Sequence, residues 1–574
     1  MIDRLRVALC LTMMVAACGS QPGPAATAAN AVQWPAVRDE IVEDYLKAHP
    51  NFAVVKGRHE FDGQLPDWSA AGIAAEIKRL HAAKDRLTAV PDREVEAPAR
   101  LERDILIARM DRDLFWLETA EAPFVNPAFY FDWIDNLDPS PYLTRTYAPL
   151  NVRMRAYTKY VQSVQQAAMQ IRANLRTPLS LPLLERGISG FKGFADFFKA
   201  DVPAIFASVQ DPAAQAAFAE ANMAAATAMA DLAAWLESQR ATASASFALG
   251  PERFAKMLND TEQVTTPLAE LEAAGRVDLE RNQAALREAC AAFAPGASVP
   301  TCIANMSANK PKSGAVAGAR AQLKELRGFV REAGVATIPS EEDALVNESP
   351  PYNRANFAYI DIPGPYEKNS SAIYYIAPPD PSWSPEEQRD YLPGEAALLF
   401  ISVHEVWPGH FLQFLHSNRN PSIVGRLFVG YAFAEGWAHY AEEAMWDRGL
   451  GKGSPETHIG QLSNALLRNA RFLSAIGLHT RGMTVADSER LFREHAFSDA
   501  ATARQQAARG TYDPAYLNYT MGKLMIRRLR DDWTSRRGGR KAWRDFHDRF
   551  LTYGGPPIPM VRREMMGSAA GSLF

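Results

Sequence analysis

His404, Glu405 and His410 place two imidazoles and a carboxylate within seven residues, and Glu435 follows 25 residues later in Phe433-Ala434-Glu435-Gly436-Trp437-Ala438-His439-Tyr440. Two neutral imidazoles and one carboxylate are the protein ligands of many catalytic zinc sites, where water takes the fourth position. A carboxylate directly after the first histidine is suited to take a proton from that water, which gives Glu405 the role of general base. These residue types at this spacing point to metal-assisted hydrolysis.

The usual helix of this chemistry spaces its histidines four apart, on one face. Here Pro408 holds that position and the second histidine comes six residues after the first. Six steps of about 100° turn roughly 240°, so a regular helix would aim the two rings apart. Pro408 has no N–H for the carbonyl of His404, and its ring crowds that turn. Gly409 permits backbone angles that other residues resist. The spacing therefore predicts a helix carrying His404 and Glu405, a break at Pro408-Gly409, and a restarted helix carrying His410 and Gln413. An apolar run from Ala396 to Val403 leads into the pair, and ionisable groups ending an apolar helix are costly unless neutralised. A hydrogen-bonded buried cluster without metal is the alternative.

Tyr431 to Trp446 reads as an amphipathic helix. Glu435, His439 and Glu442 lie on one face of it, at i, i+4 and i+7. Any of the three could reach a metal. Glu435 is favoured because a helix two dozen residues after His410 can return antiparallel to the same point. His439 and Glu442 are read as groups that orient ligands or substrate, against the alternative of a solvent-facing polar stripe.

The run His404-Glu405-x-x-Pro408-Gly409-His410-x-x-Gln413, followed by Glu435-Gly436-Trp437-Ala438-x-Tyr440, resembles the bacterial family known as domain of unknown function 885. Gly57 to Asp62 with Leu65 to Ser69 is similar to that family's N-terminal motif. Arg471 to His479 and Tyr519 to Gly522 are similar to its C-terminal ones, so the resemblance covers most of the chain. The family in turn resembles the gluzincin metallopeptidases of the angiotensin-converting-enzyme, thimet-oligopeptidase and carboxypeptidase Taq type. That resemblance implies a mainly α, two-lobed fold with a deep cleft and a small β-hairpin or edge strand next to the zinc helix. It implies one zinc ion per chain on His404, His410 and Glu435, with Glu405 as base.

Phe357 to Ile362 and Ala372 to Ile376 read as short strands. In the gluzincins a strand at this place pairs with substrate backbone, which would set Tyr374 and Tyr375 along the cleft; a purely structural hairpin is the alternative. An oxyanion needs a donor besides the metal, and losing such a donor costs a factor of about 100 or more. Tyr519 is the candidate, with Tyr516 and Tyr512 close by in sequence. If C-termini are trimmed, Arg471, His479 or Lys523 could hold the substrate carboxylate.

Residues 1–18 read as a lipoprotein signal, with Arg4 and Arg6, a short apolar core, and Val15-Ala16-Ala17 before Cys18. The apolar run is too short to span a membrane. Lipid on Cys18 would be the membrane contact. Gly19 at the next position favours the outer membrane, facing the periplasm, and residues 19–33 suit a flexible tether. An exported chain lives in an oxidising space, so Cys290 and Cys302 are expected to pair, contributing about 3 kcal/mol.

A net charge of −4 gives no global reason to expect nucleic acid. The basic stretch Arg527 to Arg544 reads as a solvated helix face. With 47% hydrophobic residues the chain can bury a large core. Asp211-Pro212 is an N-cap and N1 pair for an Ala-rich helix towards Arg240. Thr265 to Phe293 reads as another helix, with Leu268, Leu271, Val277, Leu279 and Leu286 as its apolar positions. Residues 34–345 are expected to form a helical lobe and 346–574 the metal-bearing one. Three functions fit. The first is a zinc carboxypeptidase or oligopeptidase, the second a hydrolase of peptidoglycan stem peptides, the third a catalytically silent envelope binding or assembly protein. Retention of Glu405 favours the enzymes, since metal binding alone does not need it.

Overall fold

Asp211 accepts a hydrogen bond from the amide of Ala214 and caps the helix Pro212–Ser238, with Pro212 in the first turn where no N–H is needed. The computed structural model describes residues 34–574 apart from 133–135, 351–353, 355–356, 368–369 and 568–570. Cys18 and the expected tether lie outside the described residues. Helices dominate, and among the described residues none is long and apolar enough to cross a membrane.

Two apolar clusters organise the chain. In the first, Pro212–Ser238 packs against Leu181–Ala200 and Leu150–Asn174, burying Tyr157, Tyr160, Phe191 and Phe218. The second gathers Leu271, Leu286, Phe400, Trp407, Phe433, Trp437 and Phe472. Residues 254–336, assigned by sequence to the N-terminal lobe, bury their apolar side chains in this second cluster. The helix Leu268–Phe293 lies along Pro455–Thr480, and its last turn is joined to Val299–Ala308 by the Cys290–Cys302 disulfide. Its buried face holds Leu271, Asp278, Leu279, Asn282 and Leu286. Val277, expected among the apolar positions, is 67% exposed. It stands two residues from Leu279, about 200° around the helix, and cannot share that face.

Both expected strands form, and a third joins them. β1 (Leu345–Glu348), β2 (Ala358–Asp361) and β3 (Ile373–Ile376) make a sheet of order β1-β3-β2. β2 runs antiparallel to β3, whereas β1 runs parallel to it with Val346 opposite Tyr374.

The remaining helices carry the candidate site. Glu395–Glu405 packs on Tyr431–Asp447 and on Pro455–Thr480, and Tyr431–Asp447 packs along Asn518–Thr534. The last pair touches backbone to backbone. A Cβ on Gly436 would stand 2.5 Å from the Cα of Gly522, and one on Gly522 would stand 2.1 Å from the carbonyl oxygen of Ala432. Only glycine at both positions permits this approach, which sets Glu435 and Tyr519 at one level. The stretch 527–544 is not uniformly solvated, contrary to its sequence reading. Arg530 is buried with its guanidinium 3.9 Å from the Trp543 ring, and Arg527 reaches inward to Asp278 and Glu443.

Candidate metal centre

His404 and Glu405 are the last two residues of Glu395–Glu405, and His410 opens the next helix, His410–Ser417. The four residues between fold back on the first helix. The amide of Gly409 donates to Val403 O at 2.9 Å, and the indole N–H of Trp437 donates to Pro408 O at 2.8 Å. Gly409 has φ −69°, so its role is not an unusual φ. A Cβ there would lie 1.8 Å from His404 O, so it is close approach that demands glycine. The break expected at Pro408-Gly409 thus brings His410 back beside His404, with ring centroids 4.9 Å apart and planes at 88°.

His404 Nε2 stands 3.2 Å from Glu435 Oε2, and His410 Nε2 stands 3.3 Å from the same oxygen. Donor atoms of the three residues all lie within 4.8 Å of one another. Around a tetrahedral ion with bonds of about 2.0–2.1 Å, neighbouring donors are about 3.3 Å apart. The donor set therefore fits a single ion of that size. Burial opposes the charge on Glu435, but His410 and His404 outweigh it and hold the carboxyl well below its usual range. Glu405 is buried beside them. Burial pushes its pKa up, with His404 and His410 pulling the other way.

Glu442 holds the ring of His404. His404 Nδ1–H donates to Glu442 Oε1 at 2.8 Å, leaving Nε2 free to face the donor set. Arg468 Nη2 lies 3.1 Å from the same Nδ1. A ring nitrogen that donates to Glu442 cannot also accept, so the partner of Arg468 is the carboxylate, at 3.2 and 3.3 Å from its two oxygens. Sequence reasoning passed over Arg468, although its spacing three before Arg471 puts both on one helix face. His439 is fully buried and sits 3.8 Å from Glu442, beyond hydrogen-bond range. Burial, then nearby Lys523, depress it to about 3, so it is neutral, and neither ring nitrogen has a partner among the described residues. A solvent-facing stripe is excluded for this helix face.

Tyr519 lies beside the centre, its ring 6.2 Å from that of His404 and inclined by 19°. Arg471, Arg468 and Arg509 surround it, with guanidinium carbons 4.9, 5.7 and 5.9 Å from the ring centroid. The other two tyrosines are engaged elsewhere. Tyr516 donates to Ser474 Oγ, and Tyr512 packs against Arg186. Glu262, another residue missed in the sequence, accepts from the amide of Ala432 and the Asn518 side chain at 3.2 and 3.1 Å. It ties the starts of the Glu435 and Tyr519 helices together. Burial raises its pKa to about 7 against the pull of Arg112.

Several sequence candidates are not brought to the donors. Gln413 donates to Ser417 and Gly554 O, fastening its helix to a loop. Both ring nitrogens of His479 bond to backbone, one accepting from Leu249 N–H and the other donating to Gly510 O. Lys523 is buried on Asp278 and Glu443. Tyr374 and Tyr375 point to opposite faces of β3, as period-two alternation requires. Tyr374 packs in the metal-side core towards Ser402 and Glu405, while Tyr375 stacks on Tyr359 at 5.1 Å.

Fold and site together define a mainly helical protein with a His-His-Glu candidate metal centre and a buried glutamate beside it. The chain belongs to the family described as bacterial protein of unknown function (DUF885), which it matches over residues 50–565. It is similar to the solved structure of a candidate lipoprotein of unknown function from Shewanella oneidensis, at 23% identity and TM-score 0.76 over 93% of this chain and 100% of that one. A candidate lipoprotein from Colwellia psychrerythraea is similar at 15% identity and TM-score 0.77, over 93% and 98%. No curated protein matches the chain.

Proposed function

We propose that this protein is a zinc-dependent hydrolase of peptide bonds. The observation that carries the proposal is the convergence of His404 Nε2 and His410 Nε2 on Glu435 Oε2, at 3.2 and 3.3 Å, beside the buried Glu405. Two histidines and one carboxylate suit zinc, and a bound zinc would supply Lewis acidity toward water and toward the carbonyl under attack. Glu405 then takes the proton from the attacking water and returns it to the leaving amine. Burial raises its pKa, which suits it to take up and return that proton. Tyr519 donates from its hydroxyl to the developing oxyanion. Glu442, backed by Arg468, keeps His404 in the tautomer that presents Nε2. The likeness to gluzincin peptidases rests on the spacing of these motifs. We further place the protein in the bacterial envelope, anchored by lipid on Cys18 and facing the periplasm, a setting in which stem peptides are accessible substrates; the two lipoprotein neighbours support this.

Plasma mass spectrometry on residues 19–574 is the first test. About one zinc per chain is expected, lost in His404→Ala and Glu435→Ala. Glu405→Gln should retain the metal and lose hydrolysis of a peptide library by a factor of about 100 or more. A chain that takes up no metal when zinc is supplied ends the proposal, and undiminished hydrolysis by Glu405→Gln removes Glu405 as base.

A further inference from the structure

Three arginines meet over Tyr519, and their charges are not balanced alike. Arg468 pairs with Glu442, and Arg509 pairs with Asp513 at 2.9 Å while donating to the hydroxyl of Tyr431. Arg471 has no carboxylate within ion-pair distance among the described residues. Its Nε donates to the neutral amide oxygen of Gln506 at 2.7 Å, and its guanidinium lies over Tyr519, 4.9 Å from the ring centroid. Only 9% of this side chain is exposed. A buried cation without a counter-charge is costly, and the two neighbouring arginines raise that cost. Such a charge is retained where a ligand completes the pair.

The surroundings specify the ligand. Arg471 sits on the Tyr519 side of the donor set, where His410, Glu435 and Arg509 all keep partial solvent contact. Behind it lies packed helix. Gln506 belongs to the helix Ala500–Tyr512, which packs directly on Pro455–Thr480, and the hydroxyls of Ser474, Ser488 and Tyr516 bond to one another there. That packing favours a chain end over a continuing chain at Arg471. Guanidinium presents a planar fork that matches a carboxylate in two hydrogen bonds. Lys523 and His479, the other cations available from sequence, are engaged by Asp278 and Glu443 and by backbone groups.

We infer that Arg471 binds the free C-terminal carboxylate of the peptide substrate, so that the site removes residues from a C-terminus. This rests on the peptide-hydrolase proposal above. The partner chemistry is an α-carboxylate on an uncapped chain end, with the adjoining peptide bond carried to the donor set.

Binding is tested on the full mature chain carrying Glu405→Gln, which removes turnover. The probe is a pool of N-dansyl pentapeptides varied at the last two positions, prepared once as free acids and once as C-terminal amides. Acids are expected to bind about 10- to 100-fold more tightly than amides, as a charge-assisted bond to a buried cation provides. Adding Arg471→Gln should weaken the acids by that factor while leaving amides within about twofold, and Arg471→Lys should recover part of the preference. Equal binding of the two pools, or no binding of either, overturns the assignment, and this arm requires no variant at position 471. Amides ending in Asp or Glu that bind as tightly as the acids also overturn it, since the ligand would then be a side-chain carboxylate. Hydrolysis by the unsubstituted chain is measured in parallel. Cleavage without acid preference keeps the hydrolase and removes the carboxylate site, whereas acid-selective binding without cleavage keeps the carboxylate site and removes the hydrolase.

Discussion

The helix Tyr431–Asp447 contributes to two buried ionic clusters that differ in completeness. Through Glu443 it enters a group in which Lys523, Arg281 and Arg527 face Asp278 and Glu443, and in which Asn469 donates to Asp278. Burial opposes both carboxylates, but Lys523 and Arg281 hold each far down, Glu443 at about 2. Every charge there has an opposite. Through Glu435 and Glu442 the same helix enters the candidate metal centre, where two histidines and three glutamates crowd together and where, among the described residues, the ring nitrogens of His439 have no hydrogen-bond partner and Arg471 has no counter-charge. A closed cluster of this kind holds helices in register. An open one is sustained only if something arrives to complete it.

Breaking the closed cluster should give the larger effect on stability. Lys523→Met removes the fully buried cation of this cluster, leaving Asp278 and Glu443 to the partly exposed Arg281 and Arg527, and should cost about 3 kcal/mol in urea unfolding. Arg471→Gln, which removes an unbalanced charge, should stay within about 1 kcal/mol. Similar losses for both would erase the distinction between the clusters. Glu442→Gln sharpens it from the other side. Metal affinity should fall about 10- to 100-fold as His404 loses its orienting partner, measured by competition with a chelating dye; unchanged affinity would separate Glu442 from the metal. A smaller change is expected at the contact that aligns both clusters. Gly436→Ala forces a methyl against Gly522 and should cost about 1–3 kcal/mol, read from the thermal midpoint.

The smallest effect lies outside both clusters. His59 bonds to Asp62 at 3.0 Å and Glu367 at 3.3 Å, and stacks on Tyr147. Burial works against its proton, yet Asp62 and Glu367 prevail and raise its pKa to about 9. A raised folded pKa stabilises fully below the unfolded value of about 6.5, and that contribution is lost as pH rises through the folded one. The urea midpoints of the unsubstituted chain and His59→Gln should therefore converge between pH 6.5 and about 9. A gap independent of pH would assign the residue to packing alone.

Legibility in the sequence followed the range of the interactions. His404, Glu405, His410 and the break at Pro408 are local, and their residue types pointed to two candidate ligands and to the turn. Glu435, His439 and Glu442 could be placed on one face by helical spacing alone. So could Asp211 as a cap, and Cys290 with Cys302 by elimination. β1 was missed because its pairing with β3 spans intervening chain and leaves no alternation in Leu345–Glu348, where only Val346 is buried. The roles of Gln413, His479 and Lys523 depend on Gly554, Gly510 and Asp278, each distant in sequence. No spacing rule links them. Period-two alternation along β3 parts Tyr374 from Tyr375, against the expectation that both line the cleft.

Asp278 also decides how the chain can be divided. Cutting before residue 346 would yield a fragment with His404, His410 and Glu435, yet Lys523 would keep only Glu443, 3.7 Å away. The helix Pro455–Thr480 would lose the neighbour it lies along, and Phe472 would lose the close contact with Gly275. Glu262, which joins the Glu435 and Tyr519 helices at their starts, would be absent as well. The smallest excisable piece that keeps His404, His410 and Glu435 in place therefore begins ahead of Glu262.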